Sequence, residues 1–254
     1  MLRFSSLGSG SKGNATLIEC GKTRVLVDCG FSTAETERRL HRLDCPPDSL
    51  SAILVTHEHG DHANGVGRLS RKHKVPVWLT VGTYNVVKDN KFSDTNFINI
   101  NNPFELADLQ ISPYPVPHDA REPCQFVFSD GDKRLGLLTD TGSITPYIVS
   151  LLQKLDGLLL ECNYDARMLA VGPYPPKLKT RVGSNYGHLD NQQATDLLKR
   201  IELGGLQHLV GMHLSEKNNL PEHAQYALGD GLGCTPDEVT LATQDGGFDW
   251  RELR

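Results

Sequence analysis

In Ala52-Ile53-Leu54-Val55-Thr56-His57-Glu58-His59-Gly60-Asp61-His62, four apolar residues run straight into a segment that sets His57, His59, Asp61 and His62 within six positions. The apolar run predicts a buried strand whose carboxyl end opens into a polar loop. Alternate residues of an extended segment point the same way, so His57 and His59 can reach one metal ion together. A turn through Gly60 aims Asp61 and His62 at a second. Imidazoles and carboxylates crowded at a strand end need partners, and incidental loop residues are a poor account of four at once.

The same pattern recurs further along. Val116-Pro117-His118-Asp119, Leu137-Leu138-Thr139-Asp140-Thr141-Gly142 and Val210-Gly211-Met212-His213-Leu214-Ser215 each end an apolar run in a histidine or aspartate. Singly, each reads equally well as a turn residue. With the first cluster they complete two sets of nitrogen and oxygen ligands. That chemistry suits zinc, and also manganese or iron. The six cysteines are scattered without a C-x-x-C pair, which points to free thiols in a reducing cytoplasm and away from a cysteine zinc site.

The rest of the 254 residues frames that cluster. With 26 Lys+Arg against 31 Asp+Glu, the net charge of −5 excludes a protein that coats nucleic acid. No apolar run approaches the roughly 20 residues of a membrane span. The start, Met1-Leu2-Arg3-Phe4-Ser5-Ser6, lacks a signal-peptide stretch, which predicts a cytoplasmic protein. No repeat or linker divides the chain, so one domain over 1–254 is expected. Strands are predicted at 2–7, 15–20, 23–28, 52–55, 75–79, 97–100, 109–116, 125–129, 135–139, 157–162, 206–210 and 238–242. Helices are predicted at 32–43 with Thr33 as cap, 66–74, 83–88, 146–154, 191–202 and 221–228. A mostly β first half passes into alternating helix and strand, which predicts stacked sheets with helices outside.

Thr56-His57-x-His59-x-Asp61-His62, with Asp28 ending Val25-Leu26-Val27, resembles the metallo-β-lactamase fold superfamily. Ser5-Ser6-Leu7-Gly8-Ser9-Gly10-Ser11-Lys12-Gly13-Asn14, His213-Leu214-Ser215-x-x-Asn218-Asn219 and Gly187-His188-Leu189-Asp190-Asn191 narrow the resemblance to its YycJ/WalJ group of phosphodiesterase-like proteins. The last motif departs from the common Gly-His-Leu-Ser-Asn form, but Asp190 replaces one good helix cap by another. The resemblance implies an α/β fold, an αββα four-layer sandwich of two mixed sheets with outer helices. It implies that His57, His59 and His118 hold one divalent ion and Asp61, His62 and His213 a second, with Asp140 bridging. His188 would protonate the leaving group, and Asp28 would orient a ligand histidine.

Two such ions activate a water between them, and the expected reaction is attack of metal-activated hydroxide on a phosphodiester of DNA or RNA. Asp61 would orient that water. Ser215, Asn218 and Asn219, and Lys177, Lys179 and Arg181 in a proline-rich loop before His188, are the candidate substrate contacts. Gly8–Asn14 offers backbone N–H groups to phosphates. The basic runs Arg38-Arg39-x-His41-Arg42 and Arg68-x-x-Arg71-Lys72-His73-Lys74 read as solvated helix faces. Short spacings between His118, Asp140 and His188 leave no room for a large inserted cap, which fits a compact nuclease. The competing readings are an ester, thioester or lactam hydrolase of glyoxalase or lactamase type, and a metal-bound regulatory protein without turnover. A di-iron oxygen-reducing protein is disfavoured, because Glu is expected where His59 stands.

Overall fold

The computed structural model describes residues 1–254. Its first sheet takes β1 (Leu2–Gly8), β2 (Ala15–Cys20), β3 (Thr23–Val27), β4 (Ala52–Leu54), β5 (Val77–Leu79) and β6 (Thr95–Phe97). The second takes β7 (Phe104–Leu106), β8 (Leu109–Pro115), β9 (Cys124–Ser129), β10 (Arg134–Leu138), β11 (Gly157–Glu161), β12 (His208–Met212) and β13 (Thr240–Leu241). The last strand, β14 (Phe248–Glu252), returns to the first sheet beside β1, giving orders β14-β1-β2-β3-β4-β5-β6 and β13-β12-β11-β10-β9-β8-β7. Both sheets follow one plan. Pairings are antiparallel up to β3 and up to β10, and parallel from there onward. No sequence repeat accompanies this repeated strand plan.

Helices α1 (Thr33–Arg42), α2 (Gly60–Ala63), α3 (Val66–His73) and α4 (Val81–Val86) accompany the first sheet. Helices α5 (Pro146–Leu151), α6 (Ala166–Val171), α7 (Pro176–Val182), α8 (Asn191–Leu198) and α9 (Pro221–Leu232) accompany the second. Three apolar layers follow. Phe4, Ile18, Val25 and Leu54 meet Ile111, Phe126, Leu137 and Val210 between the sheets. Leu26 and Ile53 pack on Leu40 and Leu69 of the first pair of outer helices, and Leu158 and Leu160 on Leu197 and Leu228 of the second. Along β3, Val25 and Val27 face one layer and Leu26 the other. A strand covered on both faces has no need of polar alternation, which is why these segments are continuously apolar. The expected αββα sandwich is the observed one, and no helix is long and apolar enough to cross a membrane.

The departures from expectation are local and have causes. The edge strand β7 and the strand β14 were not expected, because Glu105, Asp249, Arg251 and Glu252 interrupt their apolar signal on the solvent side. The strands expected at 97–100 and 206–210 lie at 95–97 and 208–212, and the short helix expected at 83–88 begins at Val81. The supposed proline-rich loop holds α6 and α7. Pro176 opens α7, where a residue lacking N–H costs nothing. Ser32, not Thr33, caps α1 by accepting from Glu35 N. Asp190 caps α8 in a reciprocal pair with Gln193.

The first basic run is not wholly solvated. Arg39 is buried, with Nη1 donating to Leu7 O (2.7 Å) and Gln244 O (2.9 Å), Nε to Glu35 (2.6 Å), and its guanidinium 4.0 Å over the Phe31 ring. It ties α1 to the end of β1 and to the turn before β14. Arg39→Met leaves two buried carbonyls without a donor and is expected to cost about 3 kcal/mol. Arg38→Met, on the exposed face, is expected to leave the unfolding midpoint nearly unchanged. Urea unfolding midpoints measure both, and equal losses would contradict the structural role of Arg39.

Candidate metal centre

Parallel neighbours end on the same edge of a sheet, and here those ends carry the chemistry. Asp28 follows β3, His57 and His59 follow β4, Asp140 follows β10, Glu161 ends β11 and His213 follows β12. His118 follows β8, Asp61 and His62 lie in α2, and His188 precedes α8. Three strand exits use left-handed backbone at a residue with a side chain: Asp28 (φ 62°), Asp140 (φ 51°) and His213 (φ 54°). Each such exit costs about 1–3 kcal/mol, which clusters at functional sites. The α2 ligands are seated by contact, since a Cβ on Gly30 would lie 1.8 Å from Asp61 O. Asn14 N donates to that same carbonyl (2.8 Å).

The outer nitrogens of the rings are tied to protein. His62 Nδ1 donates to Asp28 Oδ2 (2.7 Å), and His118 Nδ1 to Gly187 O (2.9 Å). His57 Nδ1 donates to Thr56 Oγ1 (2.9 Å), which donates to Asp28 Oδ2 (2.8 Å). His213 Nδ1 faces Glu161 Oε1 at 3.2 Å. The inner atoms then converge. His59 Nδ1 is 3.2 Å from His118 Nε2, His62 Nε2 is 3.2 Å from Asp140 Oδ2, and His213 Nε2 is 3.5 Å from Asp61 Oδ2.

Donor atoms of His57, His59 and His118 lie within 4.8 Å of one another, as do those of Asp61, His62 and His213, those of His57, His62 and Asp140, and those of Asp140, Glu161, His188 and His213. Three buried atoms, His57 Nε2, His213 Nε2 and Asp140 Oδ2, make no hydrogen bond. Leaving each unsatisfied costs about 1–3 kcal/mol. Divalent cations seated among them satisfy all three, and imidazole with carboxylate is a fitting donor set.

Electrostatics point the same way. Burial opposes charge on His62 and His213, yet the carboxylates win. Asp140, Asp61 and Asp28 hold His62 well above the ordinary imidazole range, and Asp140, Asp61 and Glu161 push His213 up to about 10. Burial drives His57 well below that range, helped by His62. Asp140 stays well below the usual carboxylate range because His213 and His62 outweigh its burial. These directions favour charged His62 and His213 in the absence of a cation.

The centre opens through a cleft of about 340 Å³ lined in part by Ser11, Tyr174, Arg181, His188 and Ser215. His188 Nδ1 donates to Glu161 Oε1 (2.7 Å). Glu161 is fully buried, and its Oε2 accepts from Thr141 N (3.1 Å) and Leu189 N (3.2 Å). This carboxylate was missed in the sequence. A charge closing Gly157-Leu158-Leu159-Leu160-Glu161 was the available signal.

The expected substrate contacts divide. Ser215 and Arg181 line the cleft; Lys177 and Lys179 do not, and Lys179 Nζ donates to Ala170 O (2.6 Å). Asn218 and Asn219 are buried away from it. Asn219 spends its amide on Cys162 O (2.9 Å), Asn163 O (3.1 Å) and Asn191, bracing the exit of β11 against α8. The Gly8–Asn14 loop spends its N–H groups internally: Gly10 N on Asn14 Oδ1, Lys12 N on Gln244 Oε1, and Gly13 N on Gly10 O. Only Ser11, which lines the cleft, keeps an N–H without a protein partner.

Metal uptake must displace the protons on His62 and His213, so loading is expected to release about one to two protons per chain at pH 7. Apparent zinc affinity then falls as pH drops from 8 to 6. Without metal, the raised pKa of His213 contributes stability below about pH 6.5 that is lost as pH rises through about 10. Titration calorimetry in buffers of different ionisation enthalpy measures the release, and none at pH 7 would contradict these charge states.

A family model described as a beta-lactamase superfamily domain matches residues 23–214. The chain is 33% identical over 235 residues to the exodeoxyribonuclease YycJ of Bacillus anthracis, covering 91% of this chain and 89% of that one. It is 33% identical over 232 residues to the exodeoxyribonuclease WalJ of Streptococcus pneumoniae serotype 2, covering 89% and 86%. The metallo-beta-lactamase fold protein YhfI from Bacillus subtilis superposes with a TM-score of 0.77 over 99% of this chain and 100% of that one, at 17% identity. By the family model over residues 23–214 and by the two exodeoxyribonuclease relatives at 33% identity, the chain belongs to the beta-lactamase superfamily and, within it, to the YycJ/WalJ group.

Proposed function

We propose that residues 1–254 form one hydrolase domain that cleaves phosphodiesters at nucleic-acid ends, with DNA as the leading substrate. The observation that carries this is His188. It lines the same cleft as the ligand cluster and is tied through Nδ1 to a buried carboxylate; the resemblance places it in neither ion set, while its donor atom lies within 4.8 Å of those of Asp140, Glu161 and His213. A fixed imidazole beside the cluster suits a leaving alkoxide that needs a proton. Relatives named exodeoxyribonucleases over about nine-tenths of the chain support DNA.

His57, His59 and His118 would hold one divalent cation, Asp61, His62 and His213 another, with Asp140 between them. The pair, zinc in the first instance, supplies an activated water and neutralises charge on the phosphate oxygens. Asp61 lines the cleft and orients the attacking water. His188 makes no hydrogen bond to protein through Nε2; with Nδ1–H on Glu161, the ring in its imidazolium form carries on Nε2 the proton that would pass to the leaving oxygen. Glu161 fixes which nitrogen faces outward. Asp28 holds His62 directly and His57 through Thr56. The six cysteines are free, five of them buried, which favours a cytoplasmic setting.

The test uses purified metal-loaded protein with 5′- and 3′-labelled DNA and RNA beside a thioester and a lactam. Cleavage of end-labelled DNA is expected, with about two metal ions per chain. His59→Ala and Asp61→Ala should lose metal and activity. His188→Ala should keep its metal and lose turnover by about 10²–10⁴-fold. Glu161→Gln should lower kcat by about 10–100-fold. Fast thioester hydrolysis with no cleavage of nucleic acid would sink the proposal, and a fully active His188→Ala would remove the proton donor.

A further inference from the structure

Asp119, beside His118 in the loop after β8, belongs to neither ion set. Its carboxylate grips Arg181, in the last turn of α7, through both oxygens: Nε lies 2.5 Å from Oδ2 and Nη2 3.1 Å from Oδ1. The same Oδ1 is 3.6 Å from His118 Nε2 and 3.9 Å from His59 Nε2. One carboxylate therefore stands between a guanidinium and two imidazoles of the first ion set.

A guanidinium carries five N–H donors in a planar fork. Asp119 occupies one edge, and Nη1 makes no hydrogen bond to protein. Arg181 is the only Lys or Arg lining the cleft, where it joins Asp61, Asp140 and His188. Behind it, Val182 and Leu178 pack with Tyr164, Leu169 and Tyr174 in a small separate cluster that seats α7. A long side chain pinned at its tip has already surrendered the rotamer freedom that gripping an anion would otherwise cost.

We propose that Arg181 reads a phosphate oxygen of the substrate through its free edge, and that Asp119 is the positioning residue holding it there. The pair selects phosphodiesters over uncharged esters and thioesters. This rests on the phosphodiesterase reading above.

The test measures KM, kcat and the salt dependence of KM for an end-labelled oligodeoxynucleotide with metal-loaded full-length protein. Arg181→Gln should raise KM about tenfold with kcat within about threefold. It should also flatten the logarithmic salt slope by about 0.7–0.9. Arg181→Lys keeps the charge, so it should recover the slope but not the wild-type KM. Asp119→Asn should raise KM severalfold with metal content unchanged, and add nothing in the Arg181→Gln background. Wild-type KM and slope in Arg181→Gln would overturn the proposal. So would an Asp119→Asn effect of equal size in both backgrounds, which would mean that Asp119 acts on the metal ligands alone. A wild-type protein that cleaves no phosphodiester would instead overturn the parent reading.

Discussion

One carboxylate, Asp28, organises the centre. It sits buried where β3 ends, accepts from Thr56 N through Oδ1 (2.8 Å), and takes Thr56 Oγ1 and His62 Nδ1 on Oδ2. Those bonds lock the exit of β4 to the exit of β3, fix the ring of His62, and fix His57 through the threonine hydroxyl. The chain reaches this geometry only by entering left-handed backbone at Asp28, a conformation aspartate tolerates better than most side chains. Without that turn the histidine cluster would leave the sheet in another direction.

The second sheet repeats the device with different residues. Glu161, closing β11, supports His188 and His213 as Asp28 supports His62: its buried Oε1 faces both ring nitrogens directly, whereas Asp28 reaches His57 only through Thr56. Burial opposes its charge, and His188 and His213 outweigh it. Asp140 lies between the two halves, 3.2 Å from His62 Nε2 and 3.3 Å from His213 Nδ1. The cluster forms where two like-built sheets meet, and each sheet brings its own supporting carboxylate to it.

How much was legible in the sequence depended on redundancy. His57, His59, Asp61 and His62 announce themselves because four donors in six residues have no ordinary explanation; stacked sheets follow from a β-rich first half passing into alternating helix and strand, and the αββα order from the family resemblance. Glu161 stayed hidden because a single carboxylate after an apolar run looks like any strand end. Its meaning comes from His188 and His213, 27 and 52 positions away. Asn218 and Asn219 were misread for the opposite reason. Their neighbourhood to His213 in sequence suggested a substrate contact, whereas the fold turns both inward, where the Asn219 amide satisfies the backbone carbonyls of Cys162 and Asn163. Arg39 is a similar case, since charge in a basic run says nothing about which member is buried.

The return of β14 to β1 sets an order of events for the nascent chain. Leu253 N donates to Leu2 O, Ser5 Oγ to Phe248 O, and Arg39 waits on Gln244 O. His213 N donates to Ser9 Oγ (2.9 Å), so a ligand late in the chain is held by a residue near its start. While synthesis proceeds, β1 is an open sheet edge, the kind of surface that invites pairing with other chains. Contacts spanning more than 200 positions are slow to form. The donors that follow β4 are made early, His213 joins them only when β12 arrives, and the edge beside β1 is covered only when the last strand closes the sheet.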